Sequence, residues 1–95
     1  MKLKNTKFPT TLSSTLLHVD RAQGRIYCLI ELKIFENAVY CISISADGEF
    51  SAELVGDDPV EARRLFDLLC DECVPSYQLF DVVSDRKRDS LTKNS

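Results

Sequence analysis

Asp57-Asp58-Pro59-Val60-Glu61-Ala62-Arg63-Arg64-Leu65-Phe66-Asp67-Leu68-Leu69-Cys70-Asp71-Glu72-Cys73 is the stretch whose reading decides the fold. It predicts a helix with a legible start. Asp58 can cap the free N–H groups of the first turn. Pro59 sits at the first helical position, where its missing N–H costs nothing. Glu61, three residues after the cap, can reach back to it as in a capping box. Asp57, Asp58 and Glu61 also place negative charge at the positive pole of the helix dipole, and such caps together contribute about 1–2 kcal/mol. Ala62, Leu65, Phe66, Leu69 and Cys73 recur at helical spacing and form one apolar stripe, with Arg63, Arg64, Asp67, Asp71 and Glu72 mostly off it. Pro75 predicts the end, because the residue before a proline is pushed out of α geometry. A helix with one oily stripe needs an apolar surface to lie on, and the preceding segments supply it.

Those segments read as strands. A first strand is expected around Ser14–Asp20, with Leu16, Leu17 and Val19 as its apolar content, then a turn at Arg21–Gly24. Arg25 to Phe35 is the clearest strand: Ile26, Cys28, Ile30, Leu32 and Ile34 alternate onto one face, and Tyr27, Leu29, Glu31, Lys33 and Phe35 onto the other. Its first half is apolar on both faces, so something must cover both sides, either the C-terminal segment or a second copy of the protein. Glu36-Asn37 predicts a hairpin turn, with Asn tolerant of left-handed geometry. In the third strand, Ala38–Ser45, Tyr40, Ile42 and Ile44 share a face. Asp47-Gly48 is a second hairpin signal. The fourth strand, Glu49–Val55, is read with Phe50, Ala52 and Leu54 inward and Glu49, Ser51 and Glu53 outward. After Pro75, Ser76 can cap a second helix from Tyr77 to about Arg88, with Leu79, Val82 and Val83 as its stripe and the cations of 86–88 near its negative pole. The expected fold is α+β: an antiparallel meander of three to four strands, one helix packed on the sheet and a second, C-terminal helix. Residues 1–95 form a single domain with an ordered core of about 12–88, a basic N-terminal arm and a frayed C-terminal tail.

Composition bounds the function. Apolar residues make up 44% of the chain, enough for a real core at 95 residues. The net charge of −3 gives no general pull toward nucleic acid. Charge is uneven: nine acids and two bases lie between Asp47 and Cys73, −7 there against +4 elsewhere. The plain reading is a solvated acidic helix face; the sharper one is a patch that meets a basic partner. No stretch of about 18 apolar residues exists to span a membrane. The start, with Lys2, Lys4 and Lys7, lacks the apolar core of a secretion signal, so the expected location is the cytoplasm and the four cysteines are expected to be thiols.

Three pieces carry a family resemblance: Val39-Tyr40-Cys41-Ile42-Ser43-Ile44, the helix from Ala62 to Leu69, and Val74-Pro75-Ser76-Tyr77-Gln78-Leu79-Phe80-Asp81-Val82-Val83-Ser84-Asp85. In order and spacing, over roughly residues 25 to 86, they resemble a family of small Firmicute proteins known only as a domain of unknown function. Cys41 stands where that family has glycine and Gln78 where it has histidine. The resemblance implies a bacterial cytosolic protein and no particular activity.

Few residues have the makings of chemistry. Cys70-Asp71-Glu72-Cys73 has the Cys-x-x-Cys spacing of a dithiol pair or half a zinc site. A reactive thiolate is favoured at a helix N-terminus, and this pair falls at the other pole beside two acids. Zinc needs two further ligands, for which Cys28, Cys41 and His18 are the candidates. A hairpin turning at Glu36-Asn37 would set residue 28 against 45 and 41 against 32, an offset that strains a tetrahedral site. The plainer reading makes Cys73 and Cys28 small buried hydrophobes and Cys70 the more exposed. His18 is the only histidine, with Asp20 on its face; Asp81 and Asp85 share a helix face. There is no Gly-rich phosphate loop and no His-Glu-x-x-His. Tyr27, Tyr40 and Tyr77 lack the neighbouring cations of a nucleic-acid platform. The expectation is a non-enzymatic interaction or regulatory module without cofactor, bound to a protein partner or to itself and not to nucleic acid or membrane. Tyr27, Leu29 and Phe35 are its interface candidates. The alternative is a metal or thiol protein using Cys70 and Cys73.

Overall fold

A computed structural model of the chain describes residues 12–94, with side chains from 12 to 87. The basic arm expected at residues 1–9 lies outside the described residues. Four strands, β1 (Leu12–Ala22), β2 (Arg25–Ile34), β3 (Asn37–Ala46) and β4 (Glu49–Gly56), form one antiparallel meander in the order β1-β2-β3-β4. Helix α1 (Pro59–Asp71), a single 3-10 turn (Ser76–Gln78) and helix α2 (Leu79–Asn94) follow. This is the α+β architecture expected. The molecule is 18 Å across its shortest dimension, room for one sheet and one layer of helix and no more.

The turns follow from backbone preference. Gln23 and Gly24 both take positive φ (55° and 78°), the geometry of a type I′ hairpin that matches strand twist. The second hairpin closes one residue earlier than Glu36-Asn37: Ile34 pairs with Asn37, and Phe35 and Glu36 are the turn. Phe35 carries the positive φ of 59°, a conformation that asparagine or glycine adopts more cheaply. In the third hairpin Ala46 pairs with Glu49, and Gly48 supplies φ 74°. Two bulges re-aim side chains, one near Leu17 in β1 and one near Val55 in β4.

Antiparallel partners share a face, so pairing decides which side chains meet the helices. Tyr27 lies opposite Ile44, and Leu29 lies opposite Ile42 and His18. These residues and Tyr40 form the covered face. The helical layer contributes Ala62, Leu65, Phe66, Leu69, Cys70, Val74, Leu79 and Val83 to the same core. α1 lies over β2 and β3 and touches β1, while α2 lies over β4. The assignment of Phe50, Ala52 and Leu54 as inward is therefore corrected. They pair with Ser45, Ser43 and Cys41, which point away from the helices, and Phe50 and Leu54 remain 69% and 51% exposed. Tyr27 and Leu29 are corrected as surface candidates: they are 0% and 2% exposed, beneath the helical layer.

α1 begins where expected. The Asp58 carboxylate accepts from the N–H of Val60 (2.9 Å) and of Glu61 (3.4 Å). The Glu61 carboxylate pairs with Arg64 (2.7 Å) and with Arg86 of α2 (3.3 Å). Its end differs from the expectation. Val74 N–H donates to Leu69 O (3.1 Å) and Cys73 N–H to Cys70 O (3.2 Å), with Cys73 at φ 53°. This is a Schellman cap whose first and last apolar residues, Leu69 and Val74, both belong to the core. Cys70 thus joins the buried stripe in place of Cys73, reversing the expected order. Two β2 side chains seal the cap: Arg25 donates to Cys73 O (3.1 Å) and the Tyr27 hydroxyl to Val74 O (2.9 Å). Ser76 does not cap α2 through its side chain. Its hydroxyl is buried and donates to Glu49 (3.0 Å), tying the connection to β4. α2 then runs through Asn94, so residues 86–88 lie within it rather than at its negative pole.

Candidate functional site: the open sheet face

No element among the described residues covers the side of the sheet away from the helices. Its rows can be read from the register. Leu12 lies beside Ile34, Ser14 beside Leu32 and Val39, and Leu16 beside Ile30, Cys41 and Leu54. Next come Val19, Cys28, Ser43 and Ala52 in one row, and Arg21, Ile26, Ser45 and Phe50 in the last. Strand spacing and rise give the whole face, its serines and Arg21 included, a footprint of about 600 Å². Among the described residues Arg21 is its one charged residue, at a corner. Cys28, Ser43 and Ala52 make a shallow trough of small side chains across β2, β3 and β4. Ser43 lies so deep in it that it is buried on an otherwise open face.

The strand identified as apolar on both sides is β2, and both of its faces are accounted for here. Tyr27 and Leu29 meet the helices, while Ile26, Cys28, Ile30 and Leu32 line the open face. Phe35 stands 73% exposed at the β2–β3 turn, at one end of the sheet. Leu16, Val19, Phe50 and Leu54, which the sequence reading did not select as interface residues, are the most exposed apolar groups of the three wider rows. Strand pairing would have revealed them, since each is the partner of a residue on the Cys28/Ile30 side.

The cysteines are divided by the sheet. Cys28 lies opposite Ser43 and Cys41 opposite Ile30, so these two are diagonal neighbours on the open face. That replaces the offset expected from the later turn. Cys70 and Cys73 lie on the helix side, so the four sulfurs cannot converge on one metal. Burial, with Asp20, Asp67 and Asp71 nearby, pushes the Cys70 thiol up to about 12. At neutral pH it is a protonated group beside the Asp20 carboxylate. That is the reverse of the thiolate a redox pair requires.

His18 belongs to the seam between β1 and α1. Its ring lies against that of Phe66 at 6.0 Å, and its Nε2 accepts from Arg63 at 2.5 Å. Arg63 is held in turn by Asp67 at 3.0 Å. Asp20, on the same face, accepts from the Arg21 N–H at 2.8 Å and lies near Cys70 rather than orienting the imidazole. Among the described residues no group of three or more His, Cys, Asp or Glu is placed to hold a metal ion, and no helix is long and apolar enough to cross a membrane. The chain matches no family model, no curated protein and no solved structure.

Proposed function

We propose that this chain is a non-enzymatic interaction module that docks a protein through its open sheet face. The observation that carries the reading is an apolar surface spanning all four strands that no described element covers. Hydrophobic burial drives most protein association, and an extended apolar patch on a sheet face is the kind of surface that marks an interaction site. Its setting is the bacterial cytosol, in keeping with four unpaired thiols and with the resemblance to small Firmicute proteins. The Cys70/Cys73 alternative draws no support from the geometry, since the buried thiol is held protonated.

The reading is tested with tagged protein carrying Leu54→Lys on the open face or Glu72→Lys on the helix layer. Association, whether with another protein or with untagged copies of the chain, is expected to survive Glu72→Lys and to disappear with Leu54→Lys. Associations indifferent to Leu54→Lys would exclude the sheet face as the docking surface.

A further inference from the structure

We infer that the open face is covered by a second copy of this chain, sheet against sheet, in a symmetric dimer layered helix–sheet–sheet–helix. The inference rests on the reading of that face as a docking surface and names its occupant. Shape is the first reason. Two twisted sheets pack face to face about 10 Å apart with strands nearly aligned, and the chain itself presents such a surface. Area is the second: a footprint of about 600 Å² approaches the roughly 800 Å² per partner that a standard stable interface removes from water.

Charge points the same way. With Arg21 alone at a corner, the face has nothing to select a charged partner, and an equally neutral face is its natural complement. The acids around α1, Asp57, Asp58, Glu61, Asp67, Asp71 and Glu72, all lie on or beside the opposite layer. Two copies can therefore meet without bringing their negative charge together. Relief completes the case. The Cys28–Ser43–Ala52 trough is flanked by the larger Leu54 and Phe50, so each copy offers both a hollow and side chains able to fill one. The β1 edge is a poorer site for pairing, because its bulge and the polar run His18, Asp20, Arg21 interrupt the flat ladder a partner strand needs.

Two native thiols report on the answer. Cys28 and Cys41 lie on the proposed interface, while Cys70 and Cys73 lie on the other layer and serve as internal controls. Sedimentation velocity across a dilution series is combined with iodoacetamide labelling of each cysteine, read by mass spectrometry. The expected result is a dimer whose Cys28 labels at least about tenfold more slowly when concentrated than when dilute, with Cys73 unaffected. Leu54→Lys and Phe50→Lys, checked for folding by circular dichroism, should raise the dimer dissociation constant by about 30-fold or more. A monomer at every concentration with Cys28 open overturns the second copy and leaves the docking surface standing. A monomer with Cys28 closed at every dilution overturns both, since the face is then covered within one chain. A dimer in which Cys28 labels freely also overturns the inference, because the copies then meet elsewhere.

Discussion

At Cys70 a thiol lies 9% exposed at the last turn of α1, beside the Asp20 carboxylate and flanked by Asp67 and Asp71. Removal from water and three negative neighbours all favour the neutral form, which is why its pKa is raised from 9.0 to about 12. Burial also raises the Tyr27 phenol, against the opposing influence of Arg25. The folded state therefore holds these protons more tightly than the unfolded chain does. Their contribution to stability is complete below the unfolded pKa of each group. For Cys70 it is lost as pH climbs from about 9 toward 12. Urea denaturation at a series of alkaline pH values should show stability falling across that window. Cys70→Ala should make the fall shallower whatever it does to stability at pH 7. An unchanged slope in the variant would mean that the thiol ionises alike in both states. The same burial should leave Cys70 unlabelled by iodoacetamide at pH 8 in native protein, with Cys73, and in dilute protein Cys28, reacting first.

The element most revealing in detail is the end of α1. A Schellman cap places its C′ residue in left-handed geometry, and glycine is the usual occupant because it has no Cβ to crowd the carbonyl. Here Cys73 takes that conformation, at a cost of about 1 kcal/mol. The cap persists because its carbonyls find donors on β2, Arg25 for Cys73 and Tyr27 for Val74, and because Val74 and Leu69 both belong to the core. Cys73→Gly should stabilise the protein by about 0.5 kcal/mol, the relief of strain exceeding the extra entropy of glycine in the unfolded chain. Cys73→Val should destabilise it by about 1 kcal/mol or more, since a β-branched side chain tolerates this backbone least. Thermal melts of the two variants order them, and valine at or above glycine would contradict the cap. The helix start shows the complementary case. Asp58 caps it by contacts within four residues, so it needs no tertiary help to be recognised.

At the scale of the whole fold, the governing asymmetry is a sheet that the described helices cover on one side. Leu29 and Ile30 are neighbours on one strand, yet one is enclosed by α1 and the other borders solvent in the single chain. Leu29→Ala should cost about 2–5 kcal/mol, the range for a truncated core side chain that leaves a cavity. Ile30→Ala, measured at a dilution where the chain is monomeric, should cost no more than about 1 kcal/mol. Chemical denaturation gives both numbers, and equal losses would show that the second face is enclosed within the monomer. The surface ion pairs of Glu61, with Arg64 within α1 and with Arg86 of α2, are too exposed to weigh in this balance and contribute at most about 1 kcal/mol each.

Much of this was legible in the chain itself because the relevant forces are local. Alternation with period two marks β2, β3 and β4, Asp47-Gly48 marks a turn, and Asp58-Pro59 followed by a helical stripe marks α1. Alternation also says which residues of one strand lie together. It does not say which of two apolar faces a helix will cover, because either assignment satisfies the same pattern. That choice was made by cross-strand partners: Ile44 brings Tyr27 beneath the helices, and Ser45 takes Phe50 to the open side. The exchange of Cys70 for Cys73 likewise depended on donors from β2, some 48 residues away in sequence. Side-chain patterning and capping were enough to establish the α+β meander. Which of its two surfaces is core and which faces away from the helices was decided only by long-range pairing, since burial is a property of neighbours that the chain brings together on folding.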